Sequence, residues 1–146
     1  MYTTTLPITL VLAGGLALIH LWLTFRVGQV RRAEGVYLGD GGSERVLRRM
    51  RAHSNFAENA PLAAILTGFI ELAAGASIWL WAIAALFLLA RALHPLGLDG
   101  WKPGRMFGAA ASAIVLLLLA IWAISIPITG AYSPVIKDVD PVTARG

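Results

Sequence analysis

The chain has 146 residues, of which 58% are hydrophobic and 14% charged, and its mean hydropathy is +0.72. A soluble domain averages about 25% charged and about 45–50% apolar residues, so these figures exclude an ordinary soluble domain and predict an integral membrane protein. The formal charge is +4 and there is no cysteine, which excludes disulfides, a protein thiol nucleophile and thiolate metal ligands; any thiol chemistry must use a thiol brought by a substrate.

A spanning helix needs roughly 20 apolar residues, so four spans nearly use up a single domain over residues 1–146. Span one is predicted over 6–32. It carries no charge before Arg26 and lacks the positive leader region of a cleaved signal, so it reads as a span. Pro7 suits a first helical turn, and Gly14-Gly15 allow a neighbouring helix to approach closely. His20 sits mid-span, where it either faces a neighbouring helix or serves as a proton site. The glycines of Gly39-Asp40-Gly41-Gly42 predict a shaped turn. A phosphate cradle is not expected there, because no lysine and Ser/Thr pair follows at the required spacing. Span two is predicted over 43–73, with Ser43 as N-cap, a kink at Pro61 and Glu71 marking the far interface. Span three, 78–94, closes with Arg91 and His94, and Pro95 and Gly97 read as stop signals. Span four covers 105–128 and ends at Pro127 and Gly130. Residues 132–146 read as a loose polar tail on the surface.

Charge orients these spans. The first loop region holds Arg31, Arg32, Arg45, Arg48, Arg49 and Arg51 against Glu34, Asp40 and Glu44. The second holds Arg91, Lys102 and Arg105 against Asp99. The opposite side has only Lys137 and Arg145, in the tail. Positive-inside logic places both basic loops in the cytoplasm and both termini outside. It also accounts for the positive excess through anionic lipid, with no nucleic-acid partner.

The stretch Arg51-Ala52-His53-Ser54-Asn55-Phe56-Ala57-Glu58-Asn59-Ala60-Pro61 stands apart. At 3.6 residues per turn Arg51, Asn55 and Glu58 share one helix face, with His53 opposite. A cation, an amide and a carboxylate along one stripe at the mouth of a span predict a face turned to protein or to a water-filled pocket holding a small zwitterion. Arg48 and Arg51 lie nearest the stripe and are expected to look inward; Arg45 and Arg49 are expected to meet headgroups. Near the hydrocarbon boundary an unpaired carboxylate costs about 2.5–3.5 kcal/mol. Glu58 therefore either pairs with Arg31, Arg51 or Arg91, or receives a ligand's ammonium. Arg91 and His94, one turn apart, either satisfy a helix C-terminus or join the site. Arg105, at the start of span four, is either an interfacial anchor or an anion site reinforced by the helix N-terminus. The three histidines form no HxxxH or ExxH pair, so no metal site is expected.

In sequence order, Gly28-Gln29-Val30-Arg31, the Arg-x-x-x-Asn-x-x-Glu-x-x-Pro pattern from Arg51 to Pro61, Arg91 with His94, and the short loop to Arg105 resemble the membrane-associated proteins in eicosanoid and glutathione metabolism, the MAPEG family. The Gly39–Gly42 turn is similar to that of small bacterial members. The resemblance implies an all-α, integral-membrane four-helix bundle in a bacterial inner membrane. It also implies assembly as a homotrimer, with glutathione bound between subunits near the cytoplasmic face. The implied activity is a glutathione transferase or peroxidase acting on lipophilic electrophiles, the alternative being a non-catalytic lipid- or thiol-binding trimer. Arg31, Arg51, Asn55, Glu58 and His94 match glutathione contacts; Arg48 and Arg91 are placed with them, and Arg105 matches the arginine facing the thiol. Ser54 and Leu98 stand where some members carry an arginine and a tyrosine. A free thiol has a pKa of about 8.5, and adjacent cations lower it. Arg105 is the residue expected to do so here, while the lipophilic acceptor arrives laterally from the bilayer.

Overall fold

The computed structural model describes residues 6–131. It contains four helices: α1 (Pro7–Glu34), α2 (Glu44–Ala74), α3 (Ile78–Leu98) and α4 (Lys102–Thr129). Each is long and apolar enough to cross a membrane; even α3, with 21 residues, spans about 32 Å at 1.5 Å per residue, against a hydrocarbon core of about 30 Å. The fold is the expected all-α four-helix bundle, with no strand among the described residues. The polar tail predicted at 132–146 lies outside the described residues.

The main packed pairs are α1 with α2 and α3 with α4. Helices α2 and α3 each touch all the others, whereas α1 and α4 do not meet among the described residues. Polar groups on the inner faces of α2 and α3 are therefore the ones most enclosed. Ile8, Leu12, Leu23, Phe56, Ile70, Leu80, Phe87 and Leu119 fill the centre. Leu18, Phe69, Trp79, Leu117 and Ile128 point outward, as a lipid-facing surface requires.

Local signals set most helix ends. The Ser43 side chain accepts from Val46 N–H at 3.4 Å, and Ser77 accepts from Leu80 N–H at 3.2 Å. Gly35, in the left-handed region at φ 66°, closes α1 with its N–H on the Arg31 and Arg32 carbonyls. The Gly39–Gly42 segment is a shaped turn held by Asp40, whose Oδ1 accepts from Gly42 N–H at 3.1 Å.

One expectation is corrected. Pro95 and Gly97 do not stop α3, which runs on to Leu98. So near a C-terminus Pro95 removes only its own donor, and its carbonyl still accepts from Asp99 N–H at 3.3 Å. Helix α2 continues through Pro61 to Ala74, as expected.

Glu71 lies at the far end of the bundle, as expected, and is fully buried there. Helix α1 begins without a side-chain cap and without an acid in its first turn. Glu71 supplies both from α2: it accepts from Ile8 N–H at 2.9 Å, Thr9 N–H at 2.8 Å and Thr9 Oγ1 at 2.6 Å. A carboxylate at a helix N-terminus satisfies the orphan N–H groups and the positive end of the dipole together. Charge-assisted bonds of this kind contribute about 1.5–3 kcal/mol each. Glu71→Ala should therefore destabilise the detergent-solubilised protein by about 3 kcal/mol in denaturant unfolding, with Thr9→Val losing less; a Glu71→Ala protein as stable as the parent would show that the clamp carries no weight.

Candidate functional site

At the end of the bundle that carries the α1–α2 and α3–α4 connections, α2, α3 and α4 line an open cavity of about 480 Å³, in which Glu58 and Arg105 are exposed. Arg51, Ser54, Asn55 and Glu58 of α2 line one wall. His94 and Leu98 of α3 and Arg105 of α4 line the other. The predicted stripe thus opens onto a single cavity. His53 points away from it toward α1, with Nε2 3.2 Å from Thr24 Oγ1 and its ring 4.8 Å from that of His20. Glu58 forms no ion pair among the described residues; Arg31, Arg51 and Arg91 all leave it unmatched.

Arg91 forms the support behind this wall. It is 1% exposed and forms no ion pair among the described residues. Its Nη1 and Nη2 both donate to Asn55 Oδ1 at 3.1 Å, and Nη1 also reaches Ser112 Oγ at 3.3 Å. The Ser112 hydroxyl in turn donates to the Gly108 carbonyl at 2.6 Å. The guanidinium lies 5.5 Å from the centre of the Phe56 ring, a favourable cation–π distance. One buried cation thereby ties α2, α3 and α4 together. Because the Asn55 oxygen is engaged by Arg91, its amide N–H groups are the part left to serve a ligand in the cavity.

Close approach of α3 and α4 positions the opposite wall. A Cβ on Gly97 would run into the backbone of Arg105. One on Gly108 would lie 2.6 Å from the His94 Cβ, and one on Gly104 would meet the Trp101 ring. These three glycines let the start of α4 lie against the end of α3, which sets Arg105 and His94 beside the same cavity. His94 is buried, and its Nδ1 has no partner among the described residues.

Five of the eight predicted site residues (Arg51, Asn55, Glu58, His94 and Arg105) therefore share the cavity, and Arg91 stands behind it through Asn55. The remaining two lie elsewhere. Arg31 lines a smaller cleft of about 240 Å³ between α1 and α2 with Met50 and His53, and it donates to the Tyr37 carbonyl at 3.0 Å. Ser54 belongs to both linings, so the two spaces are neighbours along α2. Arg48 does not look inward. It is half exposed and paired with Glu44 at 2.6 Å, on the side of α2 turned toward α1.

One partly buried cluster was not expected. Arg26, 7% exposed, pairs with Asp99, and Arg49 Nε lies 2.9 Å from the same carboxylate. This joins α1, α2 and the α3–α4 connection. The available signal was Asp99 itself, the single acid in a basic loop.

A membrane-spanning four-helix bundle with a charged cavity at its loop end defines a class of protein, and the comparisons identify the family. The MAPEG family model matches residues 9–125; the chain belongs to the MAPEG family. It is also similar to the inner membrane protein YecN of Escherichia coli strain K12, at 31% identity over 111 residues, which covers 73% of this chain and 84% of that protein. The YecN of the O6:H1 strain matches to the same extent.

The glycine seam has a measurable consequence. Gly97→Ala should cost about 1–3 kcal/mol, the usual penalty for overpacking, read as a lower unfolding midpoint; unchanged stability would mean that α4 yields freely and that Gly97 does not set the position of Arg105.

Proposed function

We propose that the cavity binds glutathione as a zwitterion and presents its thiolate to lipophilic electrophiles, making the protein a membrane-bound glutathione transferase or peroxidase. The observation that carries this reading is Glu58, an acid without a guanidinium partner among the described residues, in a cavity that also holds Arg51 and Arg105. Glutathione brings the complement: one ammonium for Glu58 and two carboxylates for guanidinium and amide donors. Arginine matches carboxylates through its planar fork, and Arg51 with the Asn55 amide takes this role, with His94 closing the far side. Arg105 stands at the first turn of α4, where its charge and the helix N-terminus both favour an anion. There the thiol loses its proton to solvent, and the thiolate attacks. With a carbon electrophile a sulfur–carbon bond forms and the leaving group departs as an anion. With a peroxide the thiolate attacks oxygen, the oxygen–oxygen bond breaks to release the alcohol, and the sulfenic acid so formed condenses with a second glutathione to give the disulfide and water.

In this reading the basic loops face the cytoplasm of a bacterial inner membrane. Glutathione enters from water and the electrophile from lipid. Assembly as a homotrimer brings Arg31 of one subunit toward the cavity of its neighbour, which accounts for its absence from the cavity of its own chain.

The test is conjugation of 1-chloro-2,4-dinitrobenzene by purified protein with glutathione. Arg105→Ala should lower kcat by about 100-fold, as loss of one anion-stabilising donor does elsewhere, and leave glutathione binding within a few-fold; equal losses in both would remove the thiolate role. Glu58→Gln should weaken glutathione-dependent thermal stabilisation by about 10-fold in concentration, and an unchanged response would make the carboxylate purely structural. Stabilisation by glutathione with no turnover at all would instead identify a thiol-binding protein that does not catalyse.

A further inference from the structure

A second charged cavity, of about 340 Å³, lies between α1 and the start of α2 and shares no lining residue with the first. Gln29 comes from α1, Arg45, Arg48 and Arg49 from the first two turns of α2, and Asp99 from the α3–α4 connection. We propose that this cavity binds the phosphate of an anionic phospholipid headgroup or a free phosphate at the membrane surface.

The argument rests on how these arginines are held. Arg45 reaches Glu34 Oε1 through Nη1 at 2.7 Å. Arg48 places Nε and Nη2 on the single oxygen Glu44 Oε1, at 3.2 and 2.6 Å. Arg49 meets Asp99 Oδ1 through Nε at 2.9 Å. None closes the two-oxygen fork that a guanidinium is shaped for, and each has five N–H donors. Donors are therefore left over around the cavity.

The charges also do not balance. Arg26, Arg45, Arg48 and Arg49 face three carboxylates: Glu34, Glu44 and Asp99. Asp99 is the one acid on the lining, and both its oxygens are engaged, Oδ2 by Arg26 and Oδ1 by Arg49. Behind it, buried Arg26 has an Nη1 without a partner among the described residues. A tetrahedral anion with several acceptor oxygens matches this surplus better than a further carboxylate. The Arg45 and Arg48 pairs lie toward solvent, with those arginine side chains 75% and 47% exposed. Such pairs contribute little, so both guanidinium groups can turn to a bound phosphate at small cost. Basic pockets between spanning helices are a recurrent seat for lipid phosphate. This assigns Arg48 to a phosphate site and away from the glutathione cavity, and it stands whether or not the chain is a transferase.

The experiment uses the full chain, delipidated in a neutral detergent. Phosphatidylglycerol, phosphatidylcholine and inorganic phosphate are added separately, and the unfolding midpoint and native mass spectra are recorded. Phosphatidylglycerol should raise the midpoint by about 3–5 °C and remain bound at one per chain. Phosphatidylcholine should not do so, and an Arg45→Gln/Arg48→Gln double variant should lose the shift. A matching shift with inorganic phosphate also supports the site and identifies its ligand as the free anion. Equal shifts with both lipids, no shift with any probe, or a full shift in a folded double variant overturns the proposal.

Discussion

The bond between the Arg91 guanidinium and the Asn55 amide oxygen governs the rest of this structure. A cation inside a membrane bundle ordinarily finds a carboxylate, because an unmatched charge there is costly. Arg91 instead rests on an amide, a hydroxyl and an aromatic face. At the other end of the bundle Glu71 behaves alike and is satisfied by the N–H groups of a helix start and a hydroxyl. Arg91 and Glu71, the two fully buried charges among the described residues, are thus compensated by dipoles, while Arg26 pairs with Asp99. The acid and the bases at the loop end are left available, which is what a site for a zwitterionic guest requires.

The same bond links stability to function. It orients Asn55, whose amide then faces the cavity, and through Ser112 it fixes α4 against α3. The glycines on the α3–α4 seam do the complementary work, since Arg105 can lie over the end of α3 only because Gly97 has no side chain. The Arg26–Asp99–Arg49 cluster holds the connection between those helices down onto α1 and α2. The cavity walls are therefore set by close backbone contact and by buried polar bonds. Such contacts suit a bilayer, where apolar burial gives helices little reason to prefer one another over lipid.

Much of this was legible in the chain itself, and the reason is periodicity. Four apolar runs define four helices within a few residues at each end. The spacing of Arg51, Asn55 and Glu58 places them on one face wherever that helix lies. What remained hidden depends on distance along the chain or on a small rotation. Glu71 caps a helix 63 residues away and Arg26 meets an acid 73 residues away, pairings that no local pattern encodes. Arg48 precedes Arg51 by less than one turn, yet that offset moves it from the α3–α4 side of the helix to the α1 side. Pro95 reads as a stop because proline breaks helix interiors, but it sits close enough to the end for α3 to absorb it. Arg31 falls outside the cavity because it lies on α1, which lends that cavity no residue.

The central claim is that Glu58 is held in reserve for the ammonium of a guest. Calorimetric titration of the detergent-solubilised protein with glutathione, side by side with N-acetylglutathione, tests this most directly, because acetylation removes the ammonium charge and leaves both carboxylates and the thiol. The account predicts that glutathione binds and that the acetylated form binds at least about ten-fold more weakly, the loss of roughly 1.4 kcal/mol or more. Equal affinity for the two, or no binding of either, would contradict it.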